Sequence, residues 1–184
     1  MVQEKQRVKG KVILIAGPAG VGKTTMAQRI ARNAGWVMIS EDDAWVKIKA
    51  GRPVGELRTP EEEAIVQAQT LAQLVREAEA GTNVVLEFIL YRNPPLPIIF
   101  YREELLKRGI DVITRMLKAS DDELWDRKQR RGHAWDSDEA QQRTFATHQL
   151  SCLDSDYFEE GWIIDSTALS AEEVYRRHFL EFAT

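Results

Sequence analysis

The sequence predicts an α/β fold: a three-layer α/β/α domain on a five-stranded parallel sheet in the order 2-3-1-4-5, with a short lid. Three observations carry that expectation. Apolar runs of strand length alternate with helical periodicity along all 184 residues, the mark of a mainly parallel sheet. The first apolar run, residues 12–16, is continuous rather than alternating, as in a central strand buried on both faces. A glycine-rich turn and a helix follow it directly. With no repeat, low-complexity tract or linker, the chain reads as a single domain over residues 1–184, with the lid at about 120–150.

The remaining elements follow in order. The first helix covers about 23–33 and the second strand 36–39. A short helix spans 44–50 and stops at Gly51. Residues 59–80 form a long helix: Thr59 caps it, Pro60 suits its first position, and Glu62 completes a capping box. Ala64, Ala68, Leu71, Ala72, Val75 and Ala78 mark its apolar face, and Gly81 ends it. Residues 84–88 are the third strand and 93–97, with three prolines, a loop. A helix at 98–108 leads to the fourth strand at 110–117. Ser120 and Glu123 form a second capping box, opening a helix that runs into the basic stretch 127–131. A polar helical region covers about 137–150, and 162–164 is the fifth strand. Ser170 and Glu173 cap the last helix.

Composition narrows the class. Apolar residues make up 43% and charged residues 29%, a globular mixture with enough carbon for one core. No run approaches the ~18 apolar residues of a membrane span. Residues 1–11 are charged and lack the apolar stretch of a secretory signal, so a cytoplasmic location is expected. The lone Cys152 excludes an internal disulfide and reads as a packing residue. The net charge of −4 argues against a protein that holds nucleic acid by its phosphates. It leaves oligomeric state open.

The glycine-rich turn is the most informative segment. Gly17-Pro18-Ala19-Gly20-Val21-Gly22-Lys23-Thr24 fits G-x-x-x-x-G-K-[ST], the Walker A pattern, between a buried strand and a helix. Its glycines let backbone N–H groups surround phosphate oxygens, and the helix N-terminus adds positive potential. Lys23 is expected on the β- and γ-phosphates of ATP, the Thr24 hydroxyl on Mg²⁺, and Thr25 in the helix or at the α-phosphate.

The rest of the chain selects among P-loop chemistries. Ser40-Glu41-Asp42-Asp43 follows the second strand, where open parallel sheets bind ligands. Asp42 is the candidate to accept a proton from an incoming hydroxyl. Ser40 is placed on the metal's water shell and Asp43 as a helix cap. Glu87 ends an apolar strand where a Walker B acid would stand, and it is assigned to Mg²⁺ through water or to the acceptor. Arg127, Arg130 and Arg131 lie on one basic helix and are read as lid arginines, at least one of which closes over the transferring phosphoryl group. His133 is read as a polar lid residue, and Trp125 and Trp135 as lid or core packing. Asp165-Ser166-Thr167 is expected to border the adenine, with Thr167 in contact. Arg52, Arg58, Arg92 and Arg143 hint at an anionic or hydroxyl-rich acceptor.

This order of phosphate loop, acid after strand two, acid on strand three and basic lid resembles the P-loop kinases of the nucleoside-monophosphate-kinase fold. The gluconate and shikimate kinase group is most similar. Ala50-Gly51-Arg52-Pro53-Val54 resembles a gluconate-kinase loop, and Arg130-Arg131-Gly132-His133 resembles that family's lid element. The D-x-D of those kinases is Ser40-x-Asp42 here, and the shikimate glycine triplet is missing. Polynucleotide kinase and chloramphenicol phosphotransferase share the Asp42, Glu87 and lid positions. The resemblance implies transfer of the ATP γ-phosphoryl group to an alcohol of a small polar metabolite. The alternatives are a nucleoside, antibiotic or polynucleotide 5′-hydroxyl kinase, or a nucleotide switch or ATPase.

Overall fold

The structure, a computed structural model, describes residues 8–50 and 59–183. Five strands run in parallel: β1 (Val12–Gly17), β2 (Val37–Ser40), β3 (Val84–Ile89), β4 (Val112–Lys118) and β5 (Ile163–Asp165). Their spatial order is β2-β3-β1-β4-β5, as the sequence predicts. The helices among the described residues are α1 (Lys23–Ala34), α2 (Glu41–Ile48), α3 (Pro60–Glu79), α4 (Leu96–Lys107), α5 (Asp121–Arg131), α6 (Glu139–Ser151) and α7 (Ala171–His178).

Strand β1 lies at the centre, and its side chains divide the core in two. Val12, Leu14 and Ala16 face one way and pack with Leu74 and Ala78 of α3 and Ile98, Tyr101 and Leu105 of α4. Ile13 and Ile15 face the other way, against Ile30 of α1 and Val174 and Tyr175 of α7. The two-residue period of a strand makes that division automatic. With both faces covered, every residue from Val12 to Ala16 is fully buried, which is why the run contains no polar position.

Several local expectations need correction. Helix α2 begins at Glu41, three residues early, with Ser40 at its cap position. Asp43 is therefore inside the first turn and is not the cap. Three successive acids favour helix here because they face the positive end of its dipole. The buried face of α3 is Val66, Thr70, Leu74 and Ala78, together with Glu62 and Glu63. Ala64, Ala68 and Ala72 are exposed and Leu71 and Val75 half-buried, because the longer side chains of Val66 and Leu74 set the rotation. The capping boxes of α3 and α7 form as expected. That of α5 forms by half. Ser120 accepts from the Glu123 N–H, but its own N–H donates to Thr167 Oγ1 at 2.9 Å. Helix α4 starts at Leu96, inside the expected proline loop. Pro97 occupies its first turn, where the missing N–H costs nothing.

Gly51, Arg52, Arg58 and the loop at 51–54 lie outside the described residues, as does the side chain of Trp135. Among the described residues, no helix is long and apolar enough to cross a membrane.

Candidate active site

The parallel sheet sends the carboxyl ends of β1, β2 and β3 to one edge. The register places Glu87 beside both Ile15 and Ser40. A cleft of about 1170 Å³ opens there. Its floor is the phosphate loop, one wall is α2 and the end of β3, and the other wall is α5 and the loop after β5.

The loop's shape depends on its glycines. Gly20 and Gly22 have φ of 87° and 102°, a left-handed region that side chains resist. At Gly20 a Cβ would also stand 3.0 Å from Lys128 Cγ and 3.3 Å from the Leu124 carbonyl oxygen. Helix α5 thus packs directly over the loop. From α6, Gln149 Oε1 accepts the Ala19 N–H at 2.8 Å.

Lys23 is buried, and its Nζ donates to the Pro18 carbonyl at 2.8 Å. Burial lowers its pKa to about 8, against the opposing pull of Glu87 and Asp42. The same two acids thereby mark themselves as its close electrostatic neighbours. Glu87 is buried, and burial raises its pKa above the usual carboxylate range. Hydrogen bonds from Ser40 and Thr24 and the charge of Lys23 act in the opposite direction. Lys23, Thr24, Thr25, Asp42 and Glu87 all line the cleft. Ser40 does not; its hydroxyl is committed to Glu87 Oε1.

The oxygen donors suit a hard cation. Mg²⁺ takes hydroxyl and carboxylate oxygens together with substrate phosphates rather than an all-protein cage. Thr24 and Glu87 supply such oxygens side by side, with Ser40 behind them. Among the described residues, no group of three or more His, Cys, Asp or Glu side chains forms a separate metal cluster.

The three lid arginines line the cleft, in different states of engagement. Arg127 donates to the Val21 carbonyl at 3.0 Å, the Ser166 carbonyl at 2.7 Å and Glu123 Oε1 at 2.7 Å. It ties the phosphate loop to the loop after β5. Arg130 shares Glu123 and is 68% exposed. Arg131 pairs with the buried Asp136 at 2.7 Å. Buried Lys128 donates to Gln142 Oε1 at 3.0 Å, and burial lowers its pKa. His133 also lines the cleft, while Trp125 packs beneath the Arg143 guanidinium.

Other expected positions move. Thr167 is not part of the cleft wall: it bonds Asp165 and the Ser120 N–H, which locks the turn. Ser166, Leu169 and Val174 line that end instead. Arg92 pairs with Glu63 at 2.5 Å, and Arg143 binds Asp121, Asp122 and Glu139, so both serve the scaffold. Residues that the sequence reading passes over are Glu41, Trp45, Lys128, Asp136 and Gln149. Glu41 is the clearest: it is buried and bonded to Tyr101 and Trp45. Its position one residue before Asp42, followed by Trp45 one turn on, was the available signal.

Comparison with known proteins agrees with the fold. A family model described as an AAA domain matches residues 12–152. No curated protein matches the chain in sequence. A gluconokinase from Sinorhizobium meliloti 1021 superposes with a TM-score of 0.62 at 20% identity, covering 96% of this chain and 93% of its own. The tunicamycin resistance protein of Deinococcus radiodurans gives 0.65 at 17% identity, with coverage of 91% and 92%. The APS kinase of Mycobacterium tuberculosis, in complex with AMPPNP and APS, gives 0.65 at 14% identity, with coverage of 95% and 97%. At these identities the likeness establishes the fold.

Proposed function

Because the chain belongs to the AAA-domain family of P-loop kinases, we propose that it transfers the γ-phosphoryl group of ATP to a hydroxyl of a small polar molecule. The observation that carries this reading is the convergence of Lys23, Thr24, Asp42 and Glu87 on one cleft, with cationic lid residues opposite.

The loop amides and Lys23 hold the phosphates. Thr24 and Glu87 are the residues that would hold Mg²⁺, Glu87 through water, and the ion would neutralise phosphate charge when bound. Asp42 orients the acceptor hydroxyl and takes its proton as the acceptor oxygen bonds to the γ-phosphorus. The bond from that phosphorus to the β-phosphate oxygen breaks, and ADP leaves. Arg131 and Arg130 neutralise charge on the transferring group. Arg127, already holding Val21 and Ser166, keeps the nucleotide end of the cleft in shape.

ADP release from Mg·ATP is measured across sugar acids, shikimate, nucleosides, aminoglycosides, chloramphenicol and a 5′-hydroxyl oligonucleotide. Lys23→Ala should lower acceptor-dependent turnover by about 100-fold or more. Asp42→Asn should lower it by about 100-fold or more while changing ATP affinity little. An unaltered rate in Lys23→Ala would remove the phosphate-loop reading. Hydrolysis that no acceptor raises, but a protein partner does, would replace the kinase with a nucleotide switch.

A further inference from the structure

Next to Lys49, the wall beside Asp42 carries three apolar side chains. Trp45 and Val46, three and four residues on, share its side of α2, and Ile89 lies two residues beyond Glu87 on β3. All three line the cleft. Val46 is 70% exposed, so the fold gains little from an apolar side chain there. Trp45 is 5% exposed, and its polar edge turns inward. Indole Nε1 donates to Glu41 Oε2 at 3.4 Å. That nitrogen is the only hydrogen-bonding atom of the indole, so the part of the side chain left for the cleft is carbon.

The arrangement is anchored in the core. Glu41 is 2% exposed and also accepts the Tyr101 hydroxyl at 2.6 Å. Tyr101 packs edge-on against Phe88 and Phe100. A buried carboxylate is costly unless bonded, and its two aromatic donors fix the first turn of α2. Asp42 and Trp45 are thereby set in one orientation relative to Lys23.

We propose that Trp45, Val46 and Ile89 form an acceptor shelf, and that the acceptor is an alcohol carried on a ring-bearing body with an apolar face. The proposal rests on the kinase reading of this cleft and names its substrate class. Against these three side chains an open-chain polyol would set its hydroxyls on carbon, whereas a flat apolar face gains contact with the indole and the two aliphatic side chains.

The test is calorimetric titration of the whole protein with Mg²⁺ and a non-hydrolysable ATP analogue present. The probes are 1-phenyl-1,2-ethanediol and phenyl β-D-glucoside, against ethanediol and gluconate. The aromatic probes should bind at least about tenfold tighter. Trp45→Ala should weaken them about tenfold or more while leaving the affinity for the nucleotide analogue within about twofold. Trp45→Phe should restore most of the loss. Val46→Ser, at an exposed position with no folding role, should weaken them several-fold. Gluconate binding as tightly as the aromatic probes, no probe binding, or shelf variants with unchanged affinity would overturn the shelf. Turnover is read separately: aromatic probes that bind through Trp45 yet are never phosphorylated would support the shelf and remove the kinase reading.

Discussion

Lys23 carries a pH signature at the scale of one residue. Burial holds its folded pKa at about 8, below its ordinary value of 10.5. Its charged form is therefore disfavoured in the empty fold. The penalty is complete below pH 8 and fades as pH rises toward 10.5, so this group makes the unliganded fold gain stability across that window. Phosphates reverse the preference, since an anion beside the ammonium raises its pKa. ATP binding should then take up a proton at pH 9 and take up almost none through Lys23 at pH 7. Calorimetry in two buffers of different ionisation enthalpy reads that number directly. Uptake at pH 9 should vanish in Lys23→Ala; uptake that persists in the variant would assign the proton to another group.

The residue scale also shows what a sequence can carry. The phosphate loop is legible because all its parts are contiguous. Asp42 and Glu87 are legible because one comes just after an apolar strand and the other near the end of one, and strand ends are where a parallel sheet meets its ligand. Glu41 is not: its partner Tyr101 lies on another helix, and no local pattern announces a bond across the core. Gln149 and Lys128 fail for the same reason, since their value comes from where α5 and α6 cross the loop. For Thr167 the sequence gives the right turn but not its side, because spacing alone does not say which way a loop side chain points.

Among the elements, paired caps place helices α3, α5 and α7 to within a residue or two, and α2 has no such pair. A run of polar residues after a strand looks like a loop until the dipole's preference for acids is counted. Helix α3 has the expected bounds but a rotated buried face, since its alanines bury little area and Val66 and Leu74 bury more. A sharper element-level case is Gly10, just before β1. Its N–H donates to the Ala78 carbonyl at 2.8 Å. A Cβ there would stand 1.9 Å from the Thr82 carbonyl oxygen and 2.3 Å from its carbon. The obstacle is backbone, which cannot swing aside as a flexible side chain can. Gly10→Ala should therefore push β1 away from the α3–β3 turn and cost roughly 2–3 kcal/mol or more. Urea denaturation should show a lower midpoint with an unchanged slope. A midpoint equal to wild type would mean that the turn relaxes without cost.

At the scale of the molecule, the central place of β1 has a consequence for how the chain is made. Val12 pairs with Val84 on one side and Val112 on the other. The strand that carries the phosphate loop leaves the ribosome before both its neighbours, β3 and β4, are synthesised. Closing such distant pairings slows folding, and the apolar run 12–16 stays uncovered until then. Nascent chains stalled with residue 100 outside the exit tunnel should not retain an ATP analogue, whereas chains stalled with β4 and α5 outside should begin to. Retention by the shorter chains would show that the loop assembles on half a sheet. The order of synthesis makes the segment that is easiest to recognise in the sequence one of the last to acquire its working shape.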